Sequence, residues 1–189
     1  MTARAALKAF VALLLALLAA GFVALWVSLA SGSSPVHAAV ESLPVFHEDR
    51  GAPGKAEQLR AIGDAVARHS SDRRVQAFVI AWGWHETAFS MRIVAGQCKP
   101  FECDGGLARG FVQEHQNGRP QKEWDRLHGL ENIDFQAASA VRRARGMLRM
   151  CSDVEGAFRA MGGAGCSGKL RLKDAKARVA TFERVRARL

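Results

Sequence analysis

The sequence predicts a mostly α-helical domain behind an N-terminal hydrophobic helix, and three observations carry that expectation. One run near the N-terminus is apolar throughout. Beyond residue 54, apolar residues recur at three- and four-residue spacing in several stretches, the pattern of helices with one buried face. Between those stretches, residues 90–120 are rich in glycine, hold two cysteines and follow no period, which reads as an irregular loop region or a small β-hairpin.

From Ala9 to Ala30 the chain carries one hydroxyl and no charge, which meets the roughly 20 residues a helix needs to span a bilayer. Arg4 and Lys8 precede the run and the first charge after it is Glu41, so the positive flank stays inside and the remainder is exported. The segment (1–30) is a signal peptide or a retained anchor. "SPVHAAV" offers Val36 and Ala38 in a small-x-small cleavage pattern, whereas the apolar run exceeds the ~7–15 residues of a signal-peptide core. Residues 31–53 turn to Ser, Gly and Pro and read as a linker, with the folded unit beginning at Gly54.

Leu59, Ile62 and Val66 form the apolar face of a first helix that stops near Ser70. Ser71 and Asp72 can cap the next, "RRVQAFVIAWGWHETAF", which is apolar on every side after its first turn and therefore central to a core. After the glycine-rich region, Pro120 opens a short helix around Trp124 and Leu127. A longer one follows, with Ile133, Phe135, Val141 and Met147 as its apolar positions. Ser152 and Glu155 make an S-x-x-E capping box for "DVEGAFRAM". The last helix is strongly basic, with Val179, Phe182, Val185 and Leu189 on one stripe; core packing is one reading of that stripe and an anionic-lipid face the other.

All four cysteines lie after the apolar run, in an oxidising compartment if the remainder is exported, and three pairings are open to them. The local one, Cys98 with Cys103 and Cys151 with Cys166, closes two modest loops and is preferred, each bond being worth about 2–4 kcal/mol. The net charge of +9 points to an anionic partner. Export argues against nucleic acid and leaves cell-wall polymer or lipid headgroups.

The chemistry centres on Glu86. A carboxylate at the C-terminal end of a buried helix is disfavoured in its ionised form by lost hydration and by the helix dipole, so its pKa is expected to rise, which makes a general acid. Trp82 and Trp84 offer an apolar wall and Thr87 a hydroxyl that could orient the carboxylate. "HETAF" lacks the second histidine of H-E-x-x-H, so His85 reads as a packed or rim residue and no metal or other cofactor is expected.

"IAWGWHETAFSMRI", the glycine-rich region and then "GLARGFVQEH" resemble, in that order, the lysozyme-like domain of soluble lytic transglycosylases and related phage lysins. Glu86 with Thr87 matches the glutamate and hydroxyl residue that end a helix in that family. Gly110, Phe111, Val112 and Gln113 match its second motif, and the helical order from Leu59 to Leu189 is similar. The resemblance implies cleavage of the β-1,4 bond between N-acetylmuramic acid and N-acetylglucosamine in peptidoglycan. Glu86 would be acid and then base, the substrate's N-acetyl group would stand in for a second carboxylate, and Gln113 with neighbouring backbone would hold the sugar chain. Arg109 and His115 are further candidates for touching substrate, the arginine through a lactyl or peptide carboxylate.

Asp104 is a possible second carboxylate, which would suit a hydrolase; Asp before Gly-Gly is equally a turn signal, and Glu102 reads as a surface residue. The chain departs from the family at its third motif, where "AMGGAG", Ala160 to Gly165, puts Met161 in the place of a tyrosine, and no tyrosine occurs anywhere. A thioether cannot donate as a phenol does. A Cys151–Cys166 bond would fasten this same turn, and the alternative to an enzyme is a wall-binding or assembly protein that uses the same cleft without catalysis.

Overall fold

A computed structural model describes residues 34–99, 101–168 and 172–189. The hydrophobic run at 9–30 lies outside these residues, and among those described no helix is long and apolar enough to cross a membrane. The fold is mostly helical. In chain order the elements are α1 (Pro35–Glu41), α2 (Lys55–His69), α3 (Arg73–Thr87), α4 (Met91–Val94), α5 (Cys103–Gly106), β1 (Ala108–Arg109), β2 (Glu114–His115), α6 (Gln121–Asp125), α7 (Ile133–Met150), α8 (Val154–Met161) and α9 (Leu172–Arg186).

The folded unit begins at Ser34, not at Gly54, because the segment expected as a linker carries α1. Pro35 sits at the first helical position, where a missing N–H costs nothing. Val36, Ala39, Val40 and Leu43 then form an i, i+3, i+4, i+7 stripe that is buried on the domain. The helix crosses α2 at Gly63, where a β-carbon would come within 2.6 Å of the His37 Cα, so glycine is what allows the approach.

Helix α3 is the centre of the core. Asp72 caps it, accepting from the Arg74 and Val75 amides at 2.8 and 3.4 Å. Every residue from Val75 to Gly83 is buried, as its unpatterned apolarity requires. The Phe78 ring stacks on Phe158 of α8, with centroids 4.2 Å apart. Helix α7 contributes Ile133, Ala137, Ala140, Val141 and Ala144 to the same core; Phe135 instead lies half-buried under the Arg126 guanidinium. The α9 stripe faces inward, with Phe182 and Val185 fully buried and Val179 and Leu189 packed beside them, so the lipid-face reading of that stripe is corrected to core packing.

The capping box expected at Ser152 and Glu155 shifts by one residue. Asp153 is the N-cap of α8, its Oδ1 accepting from the Gly156 amide at 2.6 Å, and Glu155 is drawn to Arg159 one turn on. Asp caps as well as Ser, and starting at Asp153 sets Ala157 and Phe158 into the core. The disulfides pair locally, Cys98 with Cys103 and Cys151 with Cys166, with Cα separations of 6.2 and 5.4 Å. The glycine-rich region does contain a hairpin, two antiparallel residues in each strand, with Ala108 opposite His115 and Arg109 opposite Glu114.

Candidate active site

Glu86 emerges where α3 leaves the core. Trp82 lies one turn before it on the same helical face, and the two line one side of a cleft of about 250 Å³. Trp84, two residues on from Trp82 and so about 200° round the helix, points away and donates from Nε1 to the Pro44 carbonyl at 3.0 Å. The apolar wall therefore has one tryptophan. Glu86 is not sealed in it: the side chain is 30% exposed.

Its partner comes from α9. Arg178 Nη1 stands 2.7 Å from Glu86 Oε1, a charge contact without the alignment of a hydrogen bond. His85, adjacent in sequence, turns to the same helix and places Nε2 2.9 Å from Thr181 Oγ1. Burial, helped by the Arg178 charge, holds its pKa below the ordinary histidine value, so His85 packs as a neutral ring.

The facing wall is the hairpin and the loop before it. Ala108 and His115 are cross-strand partners, and both line the cleft. His115 Nε2 is 2.9 Å from Asp104 Oδ2, and Asp104 lines the cleft too while occupying the left-handed turn (φ 51°) that its Gly-Gly sequel announces. Gln113 enters from the turn between the strands, its Nε2 donating to the Gly110 carbonyl at 2.9 Å. Met161 and Gly162 close the end. Glu86, Asp104, Gln113, His115 and Met161, scattered over the sequence, thus share one cavity.

Four expected contact residues are placed otherwise. Thr87 is buried: its hydroxyl lies 3.0 Å from both the Gly83 and Phe111 carbonyls and accepts from the Phe89 amide, so it ties the end of α3 to the hairpin and does not orient Glu86 or reach the cleft. Phe111 has no exposed surface and packs near Phe89 with its amide donating to Gln136 Oε1. Gly110 is also buried, in the left-handed region at φ 74°, where a β-carbon would crowd the Leu127 carbonyl and Gln136 Oε1 at 3.1 Å. Arg109 belongs to the other cross-strand pair, on the opposite face of the hairpin. It binds the Trp124 carbonyl and Asp125, with its guanidinium over the Trp124 ring.

Three charged cleft residues escaped the sequence reading: Arg143 of α7 and Asp174 and Arg178 of α9. Arg178 had a signal, since it precedes the buried Phe182 by one turn and must flank the core stripe. A second omission is the support behind the site. Asp49, from the segment expected as linker, and Lys55 form a pair with side chains 8% and 7% exposed, 2.8 Å apart. Lys55 also donates to Gln58 Oε1 and to the Phe89 carbonyl, and Asp49 accepts from the Met91 amide. The chain at Ala88 and Phe89, both in left-handed conformation, is held by these bonds. Burial lowers the Lys55 pKa against the pull of Asp49.

Compared with known proteins, the chain matches no family model, no curated protein and no solved structure. What the fold and the site define by themselves is a disulfide-braced, mostly α-helical domain with a charged cleft at the end of its central helix.

Proposed function

We propose that this protein cleaves peptidoglycan glycan strands between N-acetylmuramic acid and N-acetylglucosamine, in a lysozyme-like domain that is exported and either anchored or secreted. The observation that carries the reading is the convergence in one cleft of Glu86, at the end of the central helix, with Gln113 and Asp104 from the loops that follow. The two disulfides fit an oxidising compartment. In this scheme Glu86 gives its proton to the glycosidic oxygen as the C1–O bond breaks, while the substrate's N-acetyl carbonyl oxygen closes on C1. Glu86 then takes a proton from the incoming hydroxyl, either the sugar's own, leaving an anhydro end, or water's, leaving a reducing end. In the structure the Glu86 carboxylate is in contact with Arg178.

That contact, and Met161 at the tyrosine's position, favour a second reading in which the cleft binds the wall without cutting it. Digestion of purified peptidoglycan by the oxidised protein and by Glu86→Gln, with products identified by mass, separates the two. Anhydro fragments from the parent alone mean a transglycosylase; reducing ends from the parent alone mean a hydrolase. Binding without release from either protein sinks the catalytic reading.

A further inference from the structure

Beyond the cleft, a shallower depression of about 340 Å³ continues along the same surface and shares His115 and Arg143 with it. Arg119 and Arg142 line it together with Arg143. Arg119 is committed to the fold, binding the buried Glu114 carboxylate and the Ser139 hydroxyl. Arg142 and Arg143 are not: among the described residues neither has a carboxylate within salt-bridge range, and Arg143 is half-buried with its guanidinium 5.6 Å from the Trp82 ring centroid. Glu123 is the one carboxylate lining the depression, so with the Arg119–Glu114 pair set aside the free charge stays positive.

Cleavage of the strand fixes what lies next to Glu86, and the inference rests on that reading. The N-acetylmuramic acid whose C1–O bond breaks carries, at C3 of the same ring, a lactyl ether extended by a peptide with free carboxylates. This branch must leave the cleft within one sugar of the acid. A cationic surface continuous with the cleft, where Arg142 and Arg143 have no carboxylate partner among the described residues, is the chemistry that recognises it. We propose that Arg142 and Arg143 form a subsite for the carboxylates of that peptide branch, so that the protein selects peptide-bearing strands over bare glycan. Arg143, shared by both cavities, takes the position nearer the sugar, and Arg142 meets carboxylates further out. The role expected of Arg109, in β1, thus passes to helix α7.

The test compares the full chain in mild detergent on three polymers: peptide-bearing strands, the same strands stripped by an amidase, and strands whose peptide carboxylates have been converted to amides. Wild type should cut the first about tenfold faster than the other two, the size of one charge-assisted hydrogen bond at a half-exposed site. In Arg142→Gln/Arg143→Gln the three rates should become equal to one another, whatever their common level. Equal wild-type rates on stripped and peptide-bearing strands, or a preference that survives in the double variant, overturn the subsite; a preference that survives amidation overturns the carboxylate as its ligand. If wild type cuts none of the three, the cleavage reading has failed, and sedimentation binding to the same polymers then decides the subsite alone. Tighter binding of the first polymer by wild type but not by the double variant supports it, and equal binding overturns it.

Discussion

Replacing Lys55 by methionine keeps the aliphatic stem and removes the charge. Asp49 is then left 8% exposed with only the Met91 amide to bind, and the Phe89 carbonyl and Gln58 Oε1 lose their donor. Removing one partner of a buried ion pair typically costs about 3–5 kcal/mol, mostly because the surviving charge is uncompensated. With a urea dependence of about 2 kcal/mol per molar, the unfolding midpoint falls by about 2 M. Trp82, Trp84 and Trp124 of the folded unit give the signal in an equilibrium urea titration. A second arm separates charge from packing: Asp49→Asn in the same background removes the orphaned charge and should recover part of the loss. A Lys55→Met loss below about 1 kcal/mol, or a double variant no better than the single, would refute the account of a charge-compensated clamp behind the site.

Gly63→Val should push α1 off α2, since even a β-carbon meets backbone at 2.6 Å; about 1–3 kcal/mol of stability and faster proteolysis between residues 42 and 54 are expected, and unchanged proteolysis counts against that crossing. The hydrogen bonds from Arg92 and the Lys99 amide hold the Glu102 pKa down to about 2, below its ordinary 4.5. Because the folded-state value is the lower one, the contribution is present above about pH 4.5 and lost as pH falls towards 2. Glu102 should therefore titrate by NMR with a midpoint near 2, together with loss of protection at the Lys99 amide; a midpoint near 4.5 contradicts the ion pair. Reducing Cys151–Cys166, which closes a 15-residue separation around α8, should cost about 3 kcal/mol and lower the melting temperature, whereas an unchanged melt would mean that α8 is held without it.

The legible parts of the sequence were those set by local pattern. Helix α3 could be recognised because nothing polar interrupts its middle, and the disulfides because short loops favour near neighbours. Glu86, Gln113, His115 and Asp104 were found as residues with chemistry, and they do share a cleft. The misplacements came from orientation. In a hairpin, alternate residues face opposite ways, so Arg109 and His115 were separated by a register invisible without the structure. Thr87 and Phe111 were misplaced because their bond spans 24 positions, and no local rule announces such a contact. Helix α1 was missed because it is only seven residues long and the Ser, Gly and Pro around it imitate a linker.

Helix α1 also bears on maturation. A cut after Ala38 would remove Val36 and His37 from their seats on the domain and make Ala39, which has no exposed surface, the new first residue. A new charged amino group at a residue with no exposed surface carries the desolvation cost of a buried ion. If the N-terminal segment is processed there, the same few residues would serve both as the cleavage pattern and as part of the core, and processing would set release against the stability of the released domain.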